Sequence, residues 1–128
     1  MIIDTSALMA ILLAESDAVR YEQAISRAWP RRMSVVALLE ATMVIEGRGG
    51  PAAGNDLDLF LQEAEIEPVP VTLQHAEVAR HAWRRFGKGN HPAALNFGDC
   101  FTYALALTTG EPLLFKGDDF VHTDIEAA

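Results

Sequence analysis

The chain opens MIIDTSALMAILLAE: branched apolar residues run into an acid, then two hydroxyls, then eight apolar residues from Ala7 to Ala14. This stretch limits what the rest can become. Met1 to Asp4 is too short for anything but a strand, and the run behind it has helical length. Asp4-Thr5-Ser6 supplies helix-capping oxygens at the joint. A carboxylate placed there leaves water only at high cost unless something compensates it. Either Asp4 merely caps the helix, or a positive partner belongs beside it.

The same unit recurs along the chain. A second helix is expected over 16–29, stopped by Pro30. Arg31 to Val35 reads as a short strand. Ala37 to Gly47 has helical length and runs into a GRGGPAAGN break, with a further amphipathic helix over 56–65. Ile66 to Val71 alternates like a strand whose prolines suit a sheet edge. Thr72 to Phe86 carries Ala76, Ala79, Ala82, Trp83 and Phe86 on one stripe, so Trp83 and Phe86 are expected in the core. GKGNHP is a loop, Asn96 to Thr109 a helix closed by Gly110, and Pro112 to Phe115 a strand. The tail turns and adds a last extended segment. Short strands alternating with longer helices predict an α/β fold with a mainly parallel central sheet flanked by helices. Without repeats or a linker, residues 1–128 form one domain, long enough to bury roughly two-thirds of the unfolded surface.

Ligands of such sheets bind beyond the carboxyl ends of the strands. Asp4 lies at one such end and the Gly117-Asp118-Asp119 turn at another. Glu40 is the only acid in the twelve residues from Met33 to Val44, and Asp99 the only one between Glu77 and Glu111. Each has an ordinary explanation: Asn96 and Asp99 fit a capping box, Glu40 sits near a helix start, and Asp118-Asp119 suit a turn. Taken together they suggest a cleft. Two carboxylates ~4 Å apart repel by about 4 kcal/mol at an effective dielectric near 20. Such a group holds protons or binds a cation, and oxygen-only donors suit Mg²⁺ or Mn²⁺. An ion held this way can support hydrolysis of a phosphodiester.

MIIDTSAL, the lone acid in SVVALLEA, the stretch LNFGDCFTYALA and the closing PLLFKGDDF-HTDI resemble PIN-domain ribonucleases, and more narrowly VapC toxins of toxin–antitoxin pairs. The resemblance runs from Ile2 to Ile125. It implies a Mg²⁺-dependent endoribonuclease with Asp4 and Asp99 as metal ligands and Glu40 holding the metal directly or through water. Thr5 and Ser6 match the hydroxyls beside the first acid. Gly117 stands where a fourth acid often falls, so the resemblance leaves that role between Asp118 and Asp119, with Asp118 favoured. It further implies 3′-hydroxyl and 5′-phosphate products, tRNA or ribosomal RNA as substrate, and a homodimer. A VapB-type antitoxin is implied to cover the acidic cleft, in a heterotetramer or larger complex.

Arg80, Arg84, Arg85 and Lys88 supply 4 of the 10 basic residues in a stretch without acids, a candidate RNA-binding patch on a chain of net charge −8. An ordinary solvated helix face explains them equally well. Cys100 has no triad-like company and reads as a small core residue; the four histidines lack metal-ligand spacing. One cysteine, no basic n-region before the apolar start, and an apolar run too short to span a bilayer suggest a cytoplasmic protein with no membrane role. The rival reading is a Mg²⁺-binding response-regulator receiver, which needs an Asp closing a central strand where this chain has PVPVTLQ. A dehalogenase-type phosphatase needs a second Asp where Ser6 stands.

Overall fold

A computed structural model describes residues 1–128 of the chain. In order the elements are β1 (Ile2–Ile3), α1 (Thr5–Leu12), α2 (Ala18–Arg27), β2 (Arg31–Ser34), α3 (Val35–Glu63), β3 (Ile66–Val69), α4 (Leu73–Phe86), α5 (Phe97–Thr109) and β4 (Leu113–Leu114). The four strands form one parallel sheet in the order β3-β2-β1-β4. β3, which holds Pro68, is an edge, where a missing donor is harmless. The tail adds one parallel bridge, Ala127 to Leu113.

Adjacent strand residues point to opposite faces, and the buried pairs show it. Ile3 and Leu114 enter a core built from α1, α2 and α3, whereas Ile2 and Leu113 enter a second core under α4 and α5. All four are at most 5% exposed. A two-residue strand hydrophobic on both sides is stable only between two helical layers, so the molecule is an α/β/α sandwich. No helix is long and apolar enough to cross a membrane.

Two departures from the sequence expectations have clear causes. The expected break at 47–55 is a single bend: Gly50 adopts φ 71, ψ −169 between two helical halves, so α3 runs on to Glu63. Pro51 follows at the first helical position of the second half, where its missing N–H costs nothing. Gly54 then lies against Glu46, whose side chain a Cβ would meet at 2.6 Å. The second departure is Trp83. Phe86 is buried as expected, but Trp83 is 52% exposed and leaves the core.

The bend makes opposite demands on neighbouring glycines. Gly47 is helical with open space around it, so Gly47→Ala should stabilise by about 0.5–1 kcal/mol. Gly50→Ala places a side chain in a region essentially reserved for glycine and should destabilise by about 1–3 kcal/mol. Urea denaturation of the two variants should therefore move the midpoint in opposite directions. Stabilisation by both would mean that α3 runs straight.

Candidate active site

Three elements deliver an acid each at the carboxyl end of the sheet. Asp4 leaves β1 and is the N-cap of α1, accepting from the Ser6 N–H at 3.0 Å. The Ser6 hydroxyl donates to the same oxygen at 2.6 Å, and the Lys116 N–H donates to Ser6 Oγ at 2.9 Å. Because β1 and β4 are parallel neighbours, the chain leaving β4 passes directly over the first turn of α1. The hydroxyl of Ser6 has only one acceptor to serve, and Asp4 is fixed in place. Burial pushes the Asp4 carboxyl upward, against the Ser6 hydrogen bonds that favour its charge.

Glu40 projects from α3 toward the same point. Thr5 Oγ1 lies 3.2 Å from Glu40 Oε1 and 3.1 Å from the Ala37 carbonyl, tying α1 to α3. Burial raises the Glu40 carboxyl, and the Asp4 charge adds to it. Asp99, in the first turn of α5, accepts from the Asn96 N–H at 3.0 Å while Asn96 Oδ1 accepts from the Asp99 N–H at 2.9 Å, the expected capping box. It also faces the other acids. Burial, the Asp4 charge, and a hydrogen bond and charge from Asp119 push it up to about 8.

The turn after β4 thus brings Asp119 against Asp99, where the sequence favoured Asp118. Gly117 turns the chain with φ 101, and Phe120 plugs the α4/α5 core, which orients the residue before it. Asp118 is exposed and its carbonyl accepts from the Val121 N–H. Lys116 is turned away from the cleft, its ammonium held by Glu15 and Asp17.

Two further residues at this site escaped the sequence reading. Thr102, one turn after Asp99, is fully buried with its hydroxyl beside the Asp4 carboxyl, close enough to favour the ionised form yet not aligned for a full hydrogen bond. Its i+3 spacing from Asp99 was the available signal. Gly98 is buried beneath Glu40, whose carboxyl a Cβ at 98 would overlap. These features fit a hard cation: oxygen donors only, a buried hydroxyl with spare capacity, and a glycine that lets a carboxylate lie flat. No three acids are already turned onto one point, because each is held by its own protein donor: Ser6 for Asp4, Thr5 for Glu40, Asn96 for Asp99.

The basic residues do not form one patch. Arg80 pairs with Glu77 at 3.2 Å, and Arg85 pairs with Asp124 at 3.2 Å and covers the Phe86 ring. Arg84 lies with Arg80 and Trp83 along a recess between α4 and α5. Lys88 is exposed in the following loop.

The family model for the PIN domain matches residues 1–126. Ribonuclease VapC30 of Mycobacterium tuberculosis is 52% identical over 125 residues, covering 98% of this chain and 95% of that protein. Ribonuclease VapC of Mycolicibacterium smegmatis is 51% identical over 127 residues, covering 99% and 98%. Among solved structures, VapC20 of Mycobacterium tuberculosis, a sarcin-ricin loop cleaving toxin, aligns with a TM-score of 0.80 over 99% of this chain and 97% of that one. At 17% identity it bears on the fold alone.

The Asp99 carboxyl titrates near 8 when folded and near 4 when unfolded. Between those values the folded state keeps a proton that the unfolded state has released. The stability this group contributes is full below about pH 4 and is lost as pH rises to about 8. Asp99→Asn cannot ionise, and its amide oxygen can still accept from the Asn96 N–H. In chelator its melting temperature should exceed wild type by several degrees at about pH 8.5 and by little at about pH 5. A variant that melts below wild type at both would show that Asp99 is only a cap.

Proposed function

This chain belongs to the PIN-domain family as a VapC-type ribonuclease toxin, and we propose that it cleaves structured RNA with a divalent cation, Mg²⁺ or Mn²⁺, held by Asp4, Asp99 and Glu40. The observation that carries the reading is the meeting of strand-end and helix-start acids whose burial and mutual repulsion drive them toward protonation. A cation bound there would remove that penalty and would supply charge stabilisation at the phosphate and a more acidic water. Ser6 and the Lys116 N–H orient Asp4. Thr5 orients Glu40, and the Asn96 cap orients Asp99. We assign Asp119 to completing the cleft: it is exposed and adjacent to Asp99, suited to accept the proton of the attacking water.

Attack by water leaves a 5′-phosphate and a 3′-hydroxyl. The substrate is structured RNA, tRNA or ribosomal RNA. The partner is a VapB-type antitoxin whose segment covers the acids, on a homodimer of this chain. The receiver alternative draws no support from relatives that are named as ribonucleases.

Purified protein incubated with total RNA should cut it in Mg²⁺ or Mn²⁺ and not in chelator, and mapping the ends should return 5′-phosphates. Asp4→Asn retains an N-cap oxygen, since Asn and Asp cap about equally well, so it should fold. Its cleavage should fall by at least roughly two to three orders of magnitude, the scale for removing one preorganised electrostatic group, and its expression should no longer arrest growth. Mg²⁺ should raise the melting temperature of wild type as RT ln(1 + [L]/Kd) requires, and raise that of Asp4→Asn much less. A folded Asp4→Asn protein with wild-type cleavage would overturn the assignment.

A further inference from the structure

We propose that Thr102 is a positioning residue of the cation site, its hydroxyl steadying the Asp4 carboxylate as a ligand of the bound ion; this rests on the reading of the acidic site given above. Thr102 is 0% exposed, in a stretch of α5 where Tyr103, Ala104, Leu105 and Ala106 are buried too. Its hydroxyl is the one buried side-chain polar atom without a hydrogen-bond partner. A buried hydroxyl left unpaired is a net cost to the fold. Valine would occupy nearly the same space without it.

The helix offers a remedy that Thr102 does not take. A helical threonine can donate to the carbonyl four residues back, and Thr42, Thr108 and Thr109 all do so at 2.8 Å. The remaining threonine hydroxyls are engaged as well: Thr5 with the Ala37 carbonyl, Thr72 with the His75 N–H, Thr123 with the Phe120 carbonyl. Thr102 alone leaves its helix carbonyl and lies beside the Asp4 carboxyl instead. Asp4 has room for it. Both Ser6 donors go to Oδ2, and a carboxylate offers about four lone-pair sites, enough for Ser6, Thr102 and a cation together. A hydroxyl donating to a carboxylate makes one of the stronger hydrogen bonds. Thr102 also lies one turn after Asp99 on α5, so that bond would lock two ligands from different elements to each other. Thr5 already ties α1 to α3, and Ser6 ties α1 to the turn after β4. Thr102 is the corresponding hydroxyl for α5.

The test measures the metal alone on the purified protein, by calorimetric titration with Mg²⁺ and by melting in Mg²⁺ against chelator. Thr102→Val keeps the shape and removes the hydroxyl, whereas Thr102→Ser keeps the hydroxyl and drops the methyl. Thr102→Val should melt in chelator no lower than wild type, yet bind Mg²⁺ roughly ten- to a hundredfold more weakly, the scale for losing a hydrogen bond behind a metal ligand. Its RNA cleavage should need correspondingly more Mg²⁺ and approach the wild-type kcat once the ion saturates. Thr102→Ser should melt lower, from the lost buried methyl, and keep close to the wild-type Kd. Thr102→Ala, a second side chain without the hydroxyl, should share the weakened Kd. Wild-type Mg²⁺ affinity in Thr102→Val or Thr102→Ala overturns the proposal whatever their stability. Equal weakening in Thr102→Ser overturns it too, since packing would then explain the loss. A wild type that binds neither Mg²⁺ nor Mn²⁺ overturns the cation reading, and the role of Thr102 with it.

Discussion

The buried carboxyl of Asp4 is the constraint around which this fold is arranged. It ends the central strand, starts the first helix, and lies between both cores with 5% exposure. Leaving it there without support would cost several kcal/mol. Support arrives from a residue more than a hundred positions away: the Lys116 N–H fixes Ser6, and Ser6 fixes Asp4. That relay exists only because β4 pairs with β1 in parallel register, Ile3 beside Leu114. Sheet order and site geometry are therefore one fact. An active site that concentrates like charges reduces stability locally, and the surrounding layers must supply the difference.

Capping and chemistry share the same atoms here. Asp4 is an N-cap, and Asp99 is the third residue of a capping box. Either role alone would explain the residue, which is why sequence leaves the two explanations balanced. The geometry removes the contradiction. A cap holds a carboxylate by one oxygen at a helix N-terminus, where the backbone dipole offsets part of the cost of its charge, and in Asp4 and Asp99 alike the capping donors all go to Oδ2. The cap is thus a means of preorganising a ligand-type acid.

Much of this was legible in the sequence because it depends on local period and on acids placed where the apolar pattern excludes them. The strand-helix alternation gave the parallel sheet, and the misplaced acids Asp4, Glu40 and Asp99 lie together in the fold. What stayed hidden depends on three-dimensional turns. That the charge of Asp119 reaches Asp99 depends on a turn at Gly117, with its positive φ, and on the buried Phe120, neither of which a DD pair reveals. The α3 bend needed one residue rather than the whole glycine-rich stretch. Trp83 follows the apolar stripe in register, yet it is 52% exposed and borders an open recess between α4 and α5. Thr102 and Gly98 act through neighbours from other elements, Asp4 and Glu40; Gly98 carries no signal in isolation, and Thr102 only its i+3 spacing from Asp99.

The remaining tension is electrostatic. A chain of net charge −8 must approach a polyanion, and several of its cations are already occupied: Lys116 by Glu15 and Asp17, Arg85 by Asp124, Arg32 by Glu111. Nonspecific attraction to phosphate, which dominates most nucleic-acid binding, is correspondingly small. Discrimination then falls to shape and to contacts with bases, since phosphate contacts carry no sequence information. An acidic toxin gains from this arrangement. On the proposed reading, RNA in general would be repelled, and only a strand whose shape brings a phosphate to the acids would be held long enough to be cut. The charge that opposes binding is then the same charge that makes it selective.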